Sequence, residues 1–387
     1  MDFALTESQE LIKKEVATLA RSFSLDYWLE KDNKAEYPND FVKAFADNGW
    51  LGLMVPEAYG GAGLGVTEAA IMLHEICASG AGTSGASPIH FYIFPPTPVI
   101  KFGTEEMKRR ELPPICSGES ILAFGVTEPN AGTDTSRIQT RAEKKGNRFI
   151  VNGRKVWTTN AQHANKILLL VRTSDRDPAK PLKGMTLFYT DFDRAAMHVR
   201  LIEKLGRAAV DSNEVAIENL EVPEDHVVGT VGEGFYHLLE SLNPERIVIG
   251  IEAVGIGRAA LDRAVQYAKE RIVFDRPIGK NQAIAHPLAM ASAELDAAEV
   301  MCLKAAWLFD HGRPCGKEAN AAKVLAAEAG FNACDAALQT FGGFGYAKEF
   351  YVERLWREVR LYKIAPISQQ MALNYLAEHV LGLPRSY

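Results

Sequence analysis

The chain has few cysteines, no long run of one charge and no long apolar run. Its five cysteines are scattered among 387 residues without CxxC or Cys/His metal spacing, so we expect thiols in a reducing compartment, with neither disulfides nor zinc. A net charge of -6, with no Lys/Arg run carrying interleaved aromatics, argues against a nucleic-acid-binding protein. The longest apolar stretches, such as KILLLV at 166–171, are much shorter than a membrane helix of about 20 residues. We therefore expect no membrane insertion.

The first residues also lack a targeting signal. There is no basic region followed by an apolar run in MDFALTESQELIKKEV. This segment also lacks the Arg-rich, acid-poor composition of a transit peptide. A cytoplasmic protein is therefore expected. The hydrophobic fraction of 47% is sufficient for a sizeable core, and the length predicts two or three domains.

Three segments differ in their periodicity. Residues 1–118 read as helices, beginning with a capping-box pattern at Thr6 to Gln9. Residues 119–230 read as strands, and the Asn152-Gly153 dipeptide predicts a two-residue hairpin turn. Residues 231–387 read as four long Ala-rich helical segments. These segments are punctuated at Pro244, Pro277, Pro287, Gly312 and Gly342-Gly343.

This order of helices, strands and helices predicts an α+β fold. We expect an N-terminal helical domain (1–118), a central β domain of barrel or sandwich type (119–230), and a C-terminal four-helix bundle (231–387). No internal repeat is evident.

Two stretches are more specific than the periodicity. GVTEPNAGTD (125–134) follows a strand-like run and ends in small residues whose N–H groups and hydroxyls suit an anion or a flavin ring. QTFGGFGYAKEFYVERLWRE (339–358) joins a Gly-rich turn to a charged helix. Alone, each has a simple structural interpretation. Glycines commonly mark turns, and Arg354 with Glu358 is typical of a solvated ion pair worth about 0.3–0.5 kcal/mol. Elsewhere in the chain, Trp157 and Phe274 are typical of aromatic residues in a core.

Together these stretches resemble the two signature regions of the acyl-CoA dehydrogenase family. The resemblance extends over nearly all of the chain, through PEAYGGAGLG, NGRKVWTTNA and YAKERIVFDRPIGKNQAI. Arg137 departs from the first signature, which usually has a small residue there. The resemblance implies a homotetramer with one FAD per subunit between the β domain and the C-terminal helices. It also implies an acyl-CoA substrate and an electron-transfer flavoprotein as electron acceptor.

The resemblance assigns individual residues to the cofactor and the substrate. Trp157 would lie against the flavin ring, and Thr159 would hydrogen-bond near its reactive N5. Thr133 matches a position that touches both FAD and CoA, and Asn243 and Arg246 match substrate-binding positions. The other cofactor-binding positions are Phe124, Val126, Thr127, Arg271, Phe274, Gln282, Gln339, Gly342, Gly343 and Ser368. Those from Arg271 to Gly343 would hold the pyrophosphate and adenosine across a subunit interface.

A carboxylate is missing where many family members carry their catalytic base. The chain has no Asp or Glu between Glu358 and Glu378, and Pro366 occupies the position of the Glu in the family's Tyr-Glu-Gly-Thr-like loop. Proline lacks the carboxylate and also the backbone N–H that helps the family bind the thioester oxygen. Ala365 and Ile367 remain as alternative donors.

Some members, resembling isovaleryl-CoA and long-chain dehydrogenases, carry the base on a third-domain helix, and Glu245 in SLNPERIVIG matches that location. The residue pattern also has a purely structural interpretation, with Asn243 as a cap, Pro244 at the first helical position and Glu245 in the first turn. A helix N-terminus would lower the pKa of Glu245, so desolvation would have to oppose it.

The resemblance and the missing Glu leave three functions open. The first is conversion of an acyl-CoA to a trans-2-enoyl-CoA, in which Glu245 removes the α-proton and the β-hydride goes to flavin N5. The second is a flavin-containing protein that binds acyl-CoA or lipid without turnover, which Pro366 favours. The third is a flavin monooxygenase or oxidase on the same fold. Glu128 and Asp134 are expected to shape the flavin loop. His90 is expected to be either packed or solvent-facing, without a role.

Overall fold

The computed structural model describes residues 4–386, and its first segment is helical, as predicted. Its helices are α1 (Glu7–Arg21), α2 (Leu25–Lys34), α3 (Asn39–Asp47), α4 (Val66–Ile76), α5 (Gly82–His90), α6 (Thr97–Phe102) and α7 (Glu105–Cys116). The capping box is confirmed: Gln9 N donates to Thr6 Oγ1 at 3.2 Å, and Thr6 N donates to Gln9 Oε1 at 3.1 Å.

A π-helical turn at Cys77–Ala81 joins α4 to α5, and a buried ion pair holds it. Arg354 Nη1 donates to the Ala81 carbonyl at 3.1 Å and to Glu358 Oε1 at 3.0 Å, while Glu358 Oε2 accepts the Thr83 N–H at 2.7 Å. Both charged side chains are fully buried. The interpretation of this pair as a solvated helical ion pair was therefore wrong, because the helix that carries it (Val352–Val359) packs its charged face against α5 rather than toward water.

The central segment is a curled seven-stranded sheet. Its strands are β1 (Leu122–Gly125), β2 (Arg141–Lys145), β3 (Arg148–Thr159), β4 (Lys166–Arg172), β5 (Met185–Asp191), β6 (Met197–Leu201) and β7 (Ser212–Pro223). The order is β1-β4-β2-β3-β7-β6, with β5 also paired to β4. The pairs of β4 with β1 and β2 are parallel, and the others are antiparallel. Buried side chains on one face of this sheet form a second, smaller core.

The hairpin predicted at Asn152-Gly153 was wrong. The chain reverses between Lys145 and Arg148, and β3 continues through Gly153 with a register shift against β7. A Cβ on Gly153 would lie 2.6 Å from Thr140 Cα. The glycine is therefore needed for close backbone approach at a bulge and not for a turn.

The C-terminal segment is helical, as predicted, but its helices differ in detail from the expectation. The elements are α8 (Gly234–Glu270), β8 (Ile272–Val273), β9 (Arg276–Pro277), α9 (Gln282–Asp310), α10 (Gly316–Phe341), α11 (Val352–Val359) and α12 (Gln369–Tyr375). Helices α8, α9 and α10 pack on one another, and the expected fourth helix is divided into α11 and α12. Pro244 and Pro287 lie inside α8 and α9 and do not end them. Burial of these helices outweighs the local cost of proline.

Two further properties concern residues 4–386 only. In that range no helix is long and apolar enough to cross a membrane, and no group of three or more His, Cys, Asp or Glu side chains is arranged to hold a metal ion. The five cysteines are free thiols, four of them buried.

Candidate active site

The loop that follows β1 is held from beneath by a buried ion pair. Glu128 accepts the backbone N–H groups of Gln139 at 2.6 Å and Thr140 at 2.9 Å, and Lys155 Nζ lies 2.8 Å from its Oε1. Burial acts to raise the pKa of Glu128, but Lys155 and these hydrogen bonds outweigh it and lower the pKa below its usual value. Both carboxylate oxygens of Glu128 are therefore engaged in shaping the loop.

Asp134 and Arg137 form the outer corner of the same loop. Asp134 Oδ1 accepts the Ser136 N–H at 3.2 Å, and Arg137 Nε donates to Asp134 Oδ2 at 2.9 Å. Arg137, the departure from the first signature, is thus a partner of Asp134 at the surface. Thr133 lies beside this pair and is exposed.

The end of β3 presents one open aromatic ring and one buried hydroxyl. Trp157 is 56% exposed and has a left-handed φ of 61°, so it is not a core aromatic. Thr159 is buried, and its Oγ1 accepts from Arg207 Nη2 at 3.3 Å. Arg207 also donates to Ser212 Oγ at 3.0 Å and Ser87 Oγ at 3.2 Å. Sequence reasoning missed Arg207, because a single arginine in a loop gives no sign that it will lie half-buried among these hydroxyls.

A second group of predicted cofactor residues lies where α8 and α10 end and α9 begins. Its members are all exposed: Arg271, Phe274, Gln282, Gln339, Gly342 and Gly343. Phe274 is 93% exposed, so it too is not a core aromatic. The Arg271 guanidinium lies 5.8 Å from the centroid of the Phe344 ring. Because Phe344 belongs to the Gly-rich turn, Arg271 lies next to that turn.

These two groups fit a large cofactor with a planar ring and phosphates. Trp157 and Phe274 offer uncovered aromatic faces, and a Cβ added to Gly342 or Gly343 would meet nothing within 4 Å. Open backbone beside an arginine is a suitable environment for a phosphate.

Glu245 is a buried carboxylate in the interior of α8. The helix begins at Gly234, so the expectation that Glu245 lies in a first helical turn was wrong, and no helix N-terminus acts on it. The residue is 5% exposed. Neither carboxylate oxygen accepts a hydrogen bond from residues 4–386, and neither is completely enclosed by protein atoms. Burial raises its pKa to about 7, opposed by the charges of His90 and Arg246 and reinforced by that of Glu252.

Next to Glu245 lies a buried polar trio that the sequence did not reveal. His90 Nδ1 is 2.7 Å from Glu252 Oε1, and the Tyr362 hydroxyl donates to Glu252 Oε2 at 2.6 Å. Burial acts to lower the pKa of His90, but Glu252 and Glu245 outweigh it and raise the pKa above its usual value. His90 is packed, which is one of the two environments expected for it. The sequence feature that could have revealed this trio is Glu252, a lone acidic residue in the apolar segment IVIGIEAVGIG.

Ring contacts connect this trio to the flavin loop. The centroid of the His90 ring is 5.0 Å from that of Phe94, which in turn is 5.1 Å from that of Phe124. His90, near the candidate base, and Phe124, on the predicted flavin side, are therefore two contacts apart.

Asn243 and Arg246, the predicted substrate-binding residues, flank Glu245 on α8. Asn243 Oδ1 accepts from Arg246 Nη1 at 3.1 Å, and Arg246 Nε is buried without a partner. Lys323 Nζ is also enclosed without a partner, and burial lowers its pKa to about 8. Because Lys323 Nζ is sealed by protein atoms, it is a poor alternative to Glu245 as a base.

Of the two residues that flank Pro366, one has a free backbone N–H. Ala365 N donates to the Leu361 carbonyl at 2.9 Å, and Pro366 has no N–H. Ile367 N has no hydrogen-bond acceptor within the described part of the chain. The Ser368 hydroxyl accepts the Met371 N–H at 3.3 Å and caps α12, so its predicted contact with the cofactor stays a prediction.

Comparison with known families accounts for almost the full length. The model of the acyl-CoA dehydrogenase N-terminal domain matches residues 6–119, that of the middle domain matches 123–220, and that of the C-terminal domain matches 232–381. The chain belongs to the acyl-CoA dehydrogenase family.

Individual acyl-CoA dehydrogenases are similar over their whole length. Acyl-CoA dehydrogenase fadE12 of Mycobacterium bovis is 36% identical over 394 residues, which cover 100% of this chain and 99% of that protein. A glutaryl-CoA dehydrogenase in complex with glutaryl-CoA is 29% identical with a TM-score of 0.94, covering 100% of this chain and 98% of the other. A chain in a structure described as the electron transferring flavoprotein of Acidaminococcus fermentans is 32% identical with a TM-score of 0.93, covering 98% and 100%.

Membership of the acyl-CoA dehydrogenase family identifies the chain as an oxidoreductase of a flavoprotein family. The subgroup within the family, the domain borders after residues 118 and 230, and the roles of the predicted site residues remain predictions.

Proposed function

We propose that this protein desaturates an acyl-CoA thioester with FAD and that Glu245 is the base that removes the α-proton. One observation carries the proposal. Glu245 is a buried carboxylate without a hydrogen-bond partner in residues 4–386, its oxygens are not enclosed, and its pKa is about 7. A structural glutamate would be expected to have its buried oxygens paired. A general base needs this combination of an accessible lone pair and a pKa near the working pH.

The α-proton passes to a carboxylate oxygen of Glu245. With a pKa of about 7, a large share of the molecules carry Glu245 in its ionised form near neutral pH. Burial makes that carboxylate a stronger base than an exposed one, and the positive charges of His90 and Arg246 keep it ionised enough to act. Pro366 is then no obstacle, because one carboxylate is sufficient.

The negative charge that develops on the thioester oxygen needs a hydrogen-bond donor. We assign this role to the Ile367 N–H. Of the two alternatives on either side of Pro366, Ala365 already donates to Leu361, whereas Ile367 has no acceptor in the described chain.

When bound, FAD supplies the oxidant that takes the β-hydride. We propose that Phe124, Val126, Thr127, Trp157 and Thr159 hold its flavin end. The exposed group from Arg271 to Gly343 would hold its phosphates and adenosine, with Ser368 and Thr133 at their predicted positions. Electron-transfer flavoprotein is the proposed acceptor of the electrons.

We further propose that a partner subunit completes each cofactor site, in a homotetramer. Contacts run from Phe124 on the flavin side through Phe94 and His90 to Glu252. Arg271 follows Glu252 by nineteen residues, directly after the end of α8. At the rise of an α-helix this is about 28 Å along the axis. Two half-sites so far apart in one chain support a site made from two copies, and the uncovered Phe274 ring supports it further.

The experiment is anaerobic reduction of the FAD-loaded protein by a panel of short, medium, branched and cyclic acyl-CoAs. Loss of the oxidised flavin absorbance is followed for the wild type, Glu245→Gln and the control Glu240→Gln, an exposed glutamate on the same helix. We expect Glu245→Gln to bind the preferred ester but to reduce flavin about 10²- to 10⁴-fold more slowly, with Glu240→Gln unchanged. Equal rates in all three proteins would contradict Glu245 as the base.

A second function is favoured by Pro366 alone, since it removes both a carboxylate and an N–H from the usual catalytic loop. It is a flavin-containing protein that binds acyl-CoA without turnover. Esters that bind the wild type tightly but never reduce its flavin would establish it in place of the dehydrogenase.

A further inference from the structure

The trio of His90, Glu252 and Tyr362 has one hydrogen-bonding position left. Glu252 uses both carboxylate oxygens, one for His90 Nδ1 and one for the Tyr362 hydroxyl. His90 Nε2 has no partner in residues 4–386, yet it is not among the enclosed polar atoms. His74 is a useful contrast, because its Nε2 is sealed without a partner. The free nitrogen of His90 is therefore not sealed by protein atoms, and the ring lies close enough to Glu245 for the two charges to interact.

His90 lies on the buried side of Glu245 along α8, because it contacts Glu252. Along α8, most residues from 236 to 243 are exposed or half-buried, whereas every residue from 247 to 257 is buried. The nucleotide end of a CoA ester is large, charged and best left near solvent. An ester whose α-carbon meets Glu245 must then extend its acyl chain toward the buried half of the helix, where Glu252 holds His90.

We propose that His90 binds a neutral oxygen-bearing group on the acyl chain, so that the preferred substrate is a hydroxy-, keto- or similarly substituted acyl-CoA, not a plain alkyl one. The substituent lies beyond the β-carbon, where the double bond will form. This inference rests on the proposed function, since it takes the acyl chain to lie beside Glu245.

The hydrogen-bond chain determines what His90 can offer. Because Nδ1 is engaged with the Glu252 carboxylate, it carries a proton in both the neutral and the cationic ring. Nε2 is then a donor in the cation and an acceptor in the neutral ring. A hydroxyl suits both states, and a carbonyl oxygen suits the cation, which Glu252 and Glu245 favour.

The surrounding charges argue against a second carboxylate on the acyl chain. Glu245 and Glu252 are two negative groups near His90, and the half-buried Arg207 is the positive group that acts on it. An added carboxylate would repel the ionised Glu245 and oppose its action as a base. A neutral oxygen avoids this conflict.

A plain alkyl chain would be the poorer ligand for a physical reason. It would displace water from His90 Nε2 without replacing the hydrogen bond, and a buried polar atom would be left unpaired. The same asymmetry lets sites built for a hydroxyl reject analogues that lack it. For one hydrogen bond to an ionised group we expect a preference of about 10- to 100-fold in Kd.

The test is calorimetric titration of FAD-loaded protein with a graded series of ω-hydroxyacyl-CoA esters. Each is compared with the straight-chain ester in which a methyl replaces the hydroxyl. The titrations use the Glu245→Gln background, in which desaturation is blocked, with and without His90→Leu or His90→Gln. Circular dichroism and the FAD content of each variant show whether it is folded. The Gln variant retains a polar side chain of similar reach, so it separates hydrogen bonding from packing.

The expected result is a hydroxyl preference in at least one pair of esters, lost with His90→Leu and largely kept with His90→Gln. Equal or stronger binding of every alkyl ester, no binding of any ester, or a preference that survives His90→Leu would overturn the inference. Failure of the proposed function appears differently. The wild-type flavin would then stay oxidised with every ester, whatever the ratio of the two Kd values.

Discussion

Glu245 and Glu252 lie on the same face of α8, two helical turns apart, and both are buried, but only Glu252 is hydrogen-bonded. Two carboxylates on one helix thus have different environments. Glu252 is hydrogen-bonded to a histidine and a tyrosine. Glu245 has no such partner, so burial and nearby charges determine its pKa. The first is suited to support and the second to proton transfer.

The pH dependence of flavin reduction should report Glu245. At limiting acyl-CoA, we expect the rate constant to rise with pH through an apparent pKa of about 7, because only the carboxylate accepts the α-proton. The facing charged groups are His90, Arg246 and Glu252. Removing the cation in His90→Gln should shift that apparent pKa upward. Stopped-flow absorbance over a pH series measures both. A pH-independent rate, or a downward shift in the variant, would contradict the assignment.

The raised pKa of Glu245 also predicts a pH-dependent change in stability. The folded protein keeps a proton on this group between its ordinary value of 4.5 and about 7, where the unfolded chain has released it, so stability falls as pH rises through this window. Glu245→Gln removes that effect. We expect the variant to gain about 1–3 kcal/mol in the free energy of unfolding at about pH 8 and almost nothing at about pH 5.

Chemical denaturation at the two pH values measures this difference. Glu240→Gln, at an exposed position on the same helix, is the matched control and should change stability little at either pH. A gain that is the same at both pH values would mean that packing, and not ionisation, is responsible.

The buried pair of Arg354 and Glu358 should be essential for stability. Arg354→Met leaves the Glu358 carboxylate buried without its cation, and such a change costs about 3–5 kcal/mol. Lys43→Met is the control, because it removes an exposed pair with Asp47 and should cost less than about 1 kcal/mol. The two variants are compared by denaturant unfolding. Similar losses in both would show that the buried pair is not required.

Gly153 should tolerate alanine poorly. The added Cβ would lie 2.6 Å from Thr140 Cα, so β2 and β3 must move apart. We expect a loss of about 1–3 kcal/mol in thermal or chemical unfolding. Gly146→Ala, at the hairpin turn with a φ of 63° and no atom within 4 Å of the new Cβ, isolates the backbone cost of about 1 kcal/mol. A smaller loss at Gly153 than at Gly146 would contradict the close approach.

Local sequence predicted those features of the fold that depend on local forces. Periodicity located the helical, strand and helical segments, and the Thr6 capping box formed as expected. It failed where packing outweighs propensity. Pro244 reads as a helix start but lies inside α8, and Asn152-Gly153 reads as a turn but forms a bulge.

The candidate site shows the same division. Resemblance directed attention to Glu245, but the environment of that residue depends on partners remote in the chain. His90 is 162 residues from Glu252, and Tyr362 is 110 residues from it. A local sequence pattern cannot predict such long-range pairings, and the pKa of Glu245 depends on them.

The ion pair under α5 has a consequence for how the protein is made. The Thr83 N–H and the Ala81 carbonyl find their partners in Glu358 and Arg354, more than 270 residues later. During synthesis the N-terminal helices emerge first. The turn that leads into α5, the helix that ends at His90, cannot be secured until nearly the whole chain exists. A truncated product that ends before residue 354 would leave that turn with buried polar groups unpaired. The part of the active-site wall that α5 forms is therefore completed only late in synthesis and folding.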